Sequence, residues 1–282
     1  MNLPKIPLAK WIEAIEDWMG EHLSPLFDFI KLIVRSSVNG IEDALLLLPA
    51  IVVILLFTAL AWYLGKWRMA LFTAIGLLLI DNLGLWNQTI QTLALVITAA
   101  FISVIIGVPI GILCARYSGL QKIVTPILDF MQTMPAFVYL LPAITFFSLG
   151  VVPGVISSII FAIPPTIRLT NLGIRQVPSE LVEAADAFGS TPTQKLFKLQ
   201  LPIAMPTIMA GINQTIMLSL SMVVIASMIG AQGVGENVYR AVTQGRTGVG
   251  FEAGLAIVIL AIILDRFTGQ VMDKSNAKTK KS

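Results

Sequence analysis

Apolar residues in this chain fall in long unbroken stretches, not in alternation or in single helical stripes. A bilayer crossing needs ~20 mostly apolar residues in a helix rising ~1.5 Å per residue. Seven stretches approach that length: Ala44–Leu64, Met69–Trp86, Thr92–Cys114, Ala136–Gly150, Val152–Leu172, Pro206–Gly230 and Gly250–Phe267. The pattern predicts an all-α integral membrane protein with about seven transmembrane helices. The fourth stretch is short and holds Pro142, which predicts a kinked or tilted crossing. Pro164-Pro165 predicts a break in the fifth, serving either access switching or the fold alone.

The segment Ala9–Val38 has a different pattern. Trp11, Ile12, Ile15, Trp18 and Met19 recur at helical spacing against Glu13, Glu16, Asp17 and Glu21. Such a stripe either lies on the outer membrane surface or packs on the protein's own outer face. The chain thus divides into an amphipathic N-terminal segment (1–43), accessory spans (44–87), a transmembrane core (88–267) and a basic tail (268–282).

Composition agrees: 56% of the 282 residues are hydrophobic, 12% are charged and the mean hydropathy is +0.85. Soluble domains carry about 25% charged residues, so lipid must cover what charge does not. Met1 to Leu8, broken by Pro4 and Pro7, does not read as a secretory signal. The single Cys114 and single His22 leave no disulfide framework and no plausible metal site. If the polar segment Asn171–Met205 is cytoplasmic, thirteen of the 19 Lys and Arg residues fall inside and six outside. The positive-inside rule favours that orientation, with the N-terminus outside and the tail in the cytoplasm.

That polar segment is the most informative part of the chain. Pro178-Ser179 suits a helix start with Ser179 as cap, Leu181, Val182, Ala184, Ala185 and Phe188 supply an apolar side, and Gly189 suits a left-handed stop. Thr191-Pro192-Thr193-Gln194 reads as a capping box opening a second short helix, which Leu201-Pro202 interrupts. Two short helices with a glycine elbow and an apolar side call for a partner groove. A DNA-reading helix-turn-helix is excluded by context, since both ends are tethered to lipid-spanning helices, and no nucleic acid is expected as a partner. Downstream, Ile229-Gly230-Ala231-Gln232-Gly233-Val234-Gly235 predicts a tight turn, because a dinucleotide loop would need a βαβ unit around it. The nearest approach to a phosphate loop, from Gly189, has Gln194 where glycine is required and Leu196 where Ser or Thr is required. No catalytic residue or cofactor site is expected, and any ATP hydrolysis belongs to another subunit.

Glu183-Ala184-Ala185, then Gly189, then Leu199-Gln200-Leu201-Pro202 resembles the EAA loop of ABC importer permeases, with Leu199 where that family has isoleucine. Across most of the chain, most clearly in 129–144, 162–178 and the loop, the sequence is similar to glycine betaine/proline betaine permeases of the ProW and OpuAB type. The resemblance implies a MetI-like type I importer fold. It makes the loop, with Glu183, Ala184, Ala185, Gly189, Leu199, Leu201 and Pro202, the element that docks on cytoplasmic ABC ATPase subunits. It also implies a homodimeric permease and an extracytoplasmic betaine-binding protein, and osmoprotectant import as the role. The N-terminal extension favours betaine over choline or carnitine.

Candidate pathway residues are Gln132, Thr133, Tyr139, Asn213, Gln214 and Ser219, polar groups near or within spans that interhelical hydrogen bonding would equally explain. A secondary transporter would place ionisable residues near the bilayer centre, whereas Glu42, Asp43, Asp81, Arg168, Asp265 and Arg266 fall near span ends. A membrane enzyme would need convergent catalytic groups that the chain lacks. A mere scaffold would leave the loop pattern unexplained.

Overall fold

A computed structural model describes residues 7–279, with side chains as far as Gln270. Lys5 and the lysines of the basic tail lie outside the described side chains. The elements are α1 (Leu8–His22), α2 (Ser24–Leu46), α3 (Ala50–Asn82), α4 (Trp86–Arg116), α5 (Ser118–Thr133), α6 (Leu140–Phe147), α7 (Val151–Arg175), α8 (Ser179–Ala187), α9 (Pro192–Lys195), α10 (Leu201–Ser227), α11 (Val234–Thr243) and α12 (Thr247–Thr279). A 3₁₀ turn (Ala136–Tyr139) precedes α6 and a π turn (Leu196–Gln200) joins α9 to α10.

Among the described residues five helical stretches are long and apolar enough to cross a bilayer, and the pair α5 and Ala136–Phe147 makes a sixth, bent by 107°. One of the five is itself two arms. Within α3 the backbone is non-helical at Gly65 and Lys66, and Lys66 takes φ 65°. Val53 and Leu77 line the same small cavity with Trp86, Ile90 and Ile263, yet in a straight helix they would lie ~36 Å apart. The chain therefore turns back at Gly65-Lys66, giving antiparallel arms 50–64 and 67–82 and about seven traverses in all. The first begins six residues later than the hydrophobic pattern predicts, because α2 claims the chain as far as Leu46.

The fourth crossing departs most from expectation. It is not Ala136–Gly150 alone: α5, which the pattern leaves as a polar connection, supplies its first half. Pro135 causes the break, because it can donate no amide to the Met131 carbonyl one turn back. The Tyr139 hydroxyl donates to that carbonyl instead, joining the two halves. By contrast, Pro164-Pro165 does not break α7, which stays helical from Val151 to Arg175. Thr215 of α10 donates to the Ala162 carbonyl at 2.8 Å and pairs with Thr166 at 2.7 Å. Those cross-helix bonds, with burial on all sides, hold the strained turn straight.

At the centre α7 packs between α4 and α10. Backbone approaches as close as those between lipid-spanning helices need small residues. Gly107 and Gly111, one turn apart on α4, supply them: a Cβ at Gly111 would lie 2.6 Å from Thr170 Cβ and 2.7 Å from the Ile167 carbonyl oxygen. The pairing of 107 with 163–166 and 111 with 167–170 makes α4 parallel to α7. Arg175 accordingly donates to the Cys114 carbonyl at 2.9 Å.

The amphipathic segment forms two helices that pack differently. Among the described residues α1 buries none, and Trp11, Ile12, Ile15 and Trp18 are all exposed. α2 instead buries Val34 and Val38 against Leu93, Ala94 and Val96 of α4, and stacks Phe27 on Phe146 at 4.4 Å. It lies across the end of the bundle opposite α8 and α9. Phe57 stacks on Phe267, which brings the α3 turn with Lys66 and Arg68 to the α8–α9 end.

Candidate functional site

The elbow of α8 and α9 stands clear of the bundle. Among its described residues α8 buries none, and Phe188 is 91% exposed, with Leu181 and Phe197 also open. Its geometry follows from local chemistry. Gly189 takes φ 75°, Ser190 N–H donates to the Ala185 carbonyl at 3.0 Å and Gly189 N–H to the Asp186 carbonyl at 2.9 Å. These two bonds close a Schellman stop, which needs a left-handed residue at that position. The capping box forms as predicted: Gln194 N–H donates to Thr191 Oγ1 at 3.3 Å, and Thr191 N–H to Gln194 Oε1 at 3.0 Å.

Two local expectations are corrected. Ser179 caps nothing; Pro178 occupies the cap position and Ser179 is the first helical residue. Pro202 does not interrupt the second helix either. It sits in the first turn of α10, and the π turn 196–200 absorbs the missing amide, so α9 runs on into α10. The sequence reading also missed an ion pair. Lys195 Nζ lies 2.7 Å from Asp186 Oδ1 and 2.8 Å from Oδ2, tying α8 to α9 across the elbow. The nine-residue separation of opposite charges was a visible signal, but only the turn geometry makes them neighbours.

Of the predicted loop residues, Glu183, Ala184 and Gly189 are exposed, and Ala185, Leu199 and Pro202 are half-buried. Leu201 and Leu196 pack on Ile174, Ala204 and Ile208. The loop thus has an outward half that is free to bind and an inward half that grips α7 and α10. Through the π turn, α9 is continuous with α10.

The predicted pathway residues separate into groups. Gln132 and Thr133 are exposed on α5, with Thr133 Oγ1 donating to the Asp129 carbonyl at 2.9 Å. Tyr139 is buried and serves the α5–α6 break. Asn213 donates to Asp265 Oδ1 at 2.9 Å and accepts from Thr268 at 2.6 Å, bracing α10 against α12. Gln214 is exposed beside it at a cavity of about 360 Å³ that also takes in Met209 and Met217. Ser219 is fully buried one turn beyond Thr215. The set is therefore not one constellation. Tyr139 and Ser219 are buried, Asn213 is half-buried and lines the same cavity as Gln214, and Gln132, Thr133 and Gln214 are exposed.

At the opposite end, Gly150 N–H donates to the Ile229 carbonyl at 2.9 Å, and Val234 N–H to Thr92 Oγ1 at 2.9 Å. Gly230 and Gly233 take φ 87° and 135° there, forming the predicted tight turn. A cavity of about 370 Å³ lies between this turn and α2, lined by Lys31, Arg35, Glu42, Gln91 and Gln232. Among the described residues no three His, Cys, Asp or Glu side chains come together as a metal site.

This architecture matches known proteins. Over 98% of both chains the sequence is 58% identical to the glycine betaine transport system permease protein OpuAB of Bacillus subtilis. It is 53% identical to the glycine betaine/carnitine transport permease protein GbuB of Listeria monocytogenes, over 98% of this chain and 99% of that one. To the glycine betaine/proline betaine permease ProW of Escherichia coli it is 49% identical, over 97% of this chain and 77% of that one. The fold is similar to a chain of the inward-facing MetNI methionine ABC transporter, with a TM-score of 0.64 and 23% identity over 70% of this chain and 97% of that one. Residues 107–278 match the family described as binding-protein-dependent transport system inner membrane component. The chain is a multi-pass membrane protein that belongs to this family of transport-system permeases.

Proposed function

We propose that this chain is the permease subunit of an ATP-driven importer that carries glycine betaine, with proline betaine as a second candidate cargo, for osmoprotection. The observation that carries the reading is the exposed elbow of α8 and α9. Its outward residues have no packing role in the protomer, while its inner end continues into α10. A docking helix that transmits force would be built this way. In the proposed orientation the elbow faces the cytoplasm and receives ATPase subunits. Lys66, Arg68, Arg116, Lys122, Lys195 and Lys198 cluster at that end, which supports it. The opposite end, with α1, α2 and the glycine turn, would meet an extracytoplasmic betaine-binding protein. A second copy of the chain would complete the pathway. The printed functions of the relatives above support betaine as cargo.

The test is reconstitution. Proteoliposomes holding the chain with its ATPase subunits and binding protein are expected to accumulate radiolabelled glycine betaine only when ATP is supplied. Competition by unlabelled proline betaine, choline and carnitine would rank the cargo, carnitine being a named cargo of one relative. Uptake driven by an ion gradient in vesicles holding this chain alone would overturn the reading.

A further inference from the structure

Resting on betaine import as the reading above, we infer that Asp129 and Arg168 form a zwitterion-selective substrate site within the membrane. Arg168 Nη2 lies 2.6 Å from Asp129 Oδ1, joining α7 to the first half of the broken crossing. The pair is not sealed: the side chains are 38% and 58% exposed. Arg168 stands seven residues before the end of α7 and four before the end of the apolar stretch Val152–Leu172, which places it ~6 Å inside that stretch. Behind the pair Leu128, Ile163 and Ile167 form a buried apolar cluster.

Hydrocarbon cannot cover an exposed ion pair at that depth; charged groups in spans face water-filled space or one another. The same stripe of α5 carries Thr125, Gln132 and Thr133, all exposed. This face is therefore a wet one, and the pathway runs along it. A second observation points to a ligand. Arg168 Nε is buried and, among the described residues, has no hydrogen-bond partner. The guanidinium fork is half used; Nε is covered while the pair is closed, and a carboxylate held side-on would occupy it once the Asp129 contact opens.

Glycine betaine carries a carboxylate and a quaternary ammonium. At this site its carboxylate would take the Arg168 fork while its ammonium replaces the guanidinium as the counter-charge of Asp129. Empty, the two side chains neutralise each other; loaded, each has a partner again. A cation without a carboxylate would leave Arg168 unpaired, and an anion would leave Asp129 unpaired. The site thus rejects singly charged analogues by the cost of a stranded charge.

The experiment uses the whole reconstituted complex and glycine betaine as probe. Arg168→Gln, Asp129→Asn and the double variant are each expected to lower ATP-dependent uptake at least tenfold, with co-purification of the ATPase subunits unchanged. Arg168→Lys keeps the ion pair and loses the fork; its half-saturating betaine concentration is expected to rise several-fold. A double variant that recovers wild-type uptake, or Arg168→Lys that behaves as wild type, would reduce the pair to a strut and overturn the site. A wild-type complex that imports no glycine betaine overturns the proposed function itself, before any variant is read.

Discussion

The α4–α7–α10 trio and the α8–α9 elbow are built on opposite principles. In the trio, Ala94, Ala99, Val155, Thr166, Thr215 and Ala226 are all essentially inaccessible, and glycines admit backbone against side chain. The elbow buries almost nothing and is shaped by its own backbone: a Schellman stop, a capping box and one ion pair. Stability therefore resides where side chains interdigitate. In the proposed function, communication would reside where shape is held locally and the outer surface stays open. The difference predicts that damage to the trio will unfold the protein, and that damage to the elbow will uncouple it.

The largest effect is expected at Gly111. A leucine there would drive its Cβ into Thr170 and the Ile167 carbonyl, which are backbone-anchored and cannot swing aside. Overpacking of this kind costs about 3 kcal/mol. Gly111→Leu should lower the thermal unfolding midpoint in detergent and broaden the size-exclusion peak. A variant that melts like the wild type would mean the trio is looser than its geometry implies, and the contrast with the elbow would fail.

Gly189→Val comes next and should behave differently. A Cβ there meets nothing within 4 Å, so no clash arises. The cost is conformational, about 1–2 kcal/mol for a left-handed residue bearing a β-branch, and it falls on the elbow alone. ATP-driven uptake should drop at least tenfold while membrane insertion and the melting midpoint hold. Equal loss of stability and uptake would erase the distinction.

Phe188→Ser probes the free surface. The ring is 91% exposed, so the protomer should be indifferent to its removal. Binding of the ATPase subunits should weaken about tenfold, or ~1.4 kcal/mol, measured by titration of the detergent-solubilised permease. Unchanged binding would shift the docking surface elsewhere on the elbow.

The turn of the elbow was legible in the sequence because its determinants are local, whereas the Ser179 cap, the break at Leu201-Pro202 and the Asp186–Lys195 pair were not read correctly. Glycine at a left-handed stop and Thr-x-x-Gln around a proline act within a few residues, and both formed as read. The apolar stretches were legible for the same reason, since span length is a property of one segment. What escaped depends on partners distant in sequence. Pro164-Pro165 reads as a break until Thr215, 49 and more residues away, is placed against it. Pro135 breaks its helix where Pro164-Pro165 does not, a difference that local propensity does not reveal. The polar pathway residues were chosen by type alone, and type does not say which face of a helix a residue occupies. Asn213 and Gln214 are neighbours in sequence, yet one braces α12 and the other faces out.

The smallest expected effect concerns Asp186 and Lys195, whose side chains are 52% and 21% exposed. The pair sets the angle between α8 and α9, yet water and salt screen it, and exposed pairs contribute at most about 1 kcal/mol. A double-mutant cycle with Asp186→Asn and Lys195→Met should therefore give a coupling energy below ~1 kcal/mol in the melting of the isolated permease. The same cycle read in uptake should give a larger coupling, because a slackened elbow transmits less of the motion imposed on α8. The uptake coupling should shrink as ionic strength rises from low salt, where the screening length is ~30 Å, to 1 M, where it is ~3 Å. Equal couplings in melting and in uptake would mean that the pair only stabilises, and that the Schellman stop and capping box alone hold the lever rigid.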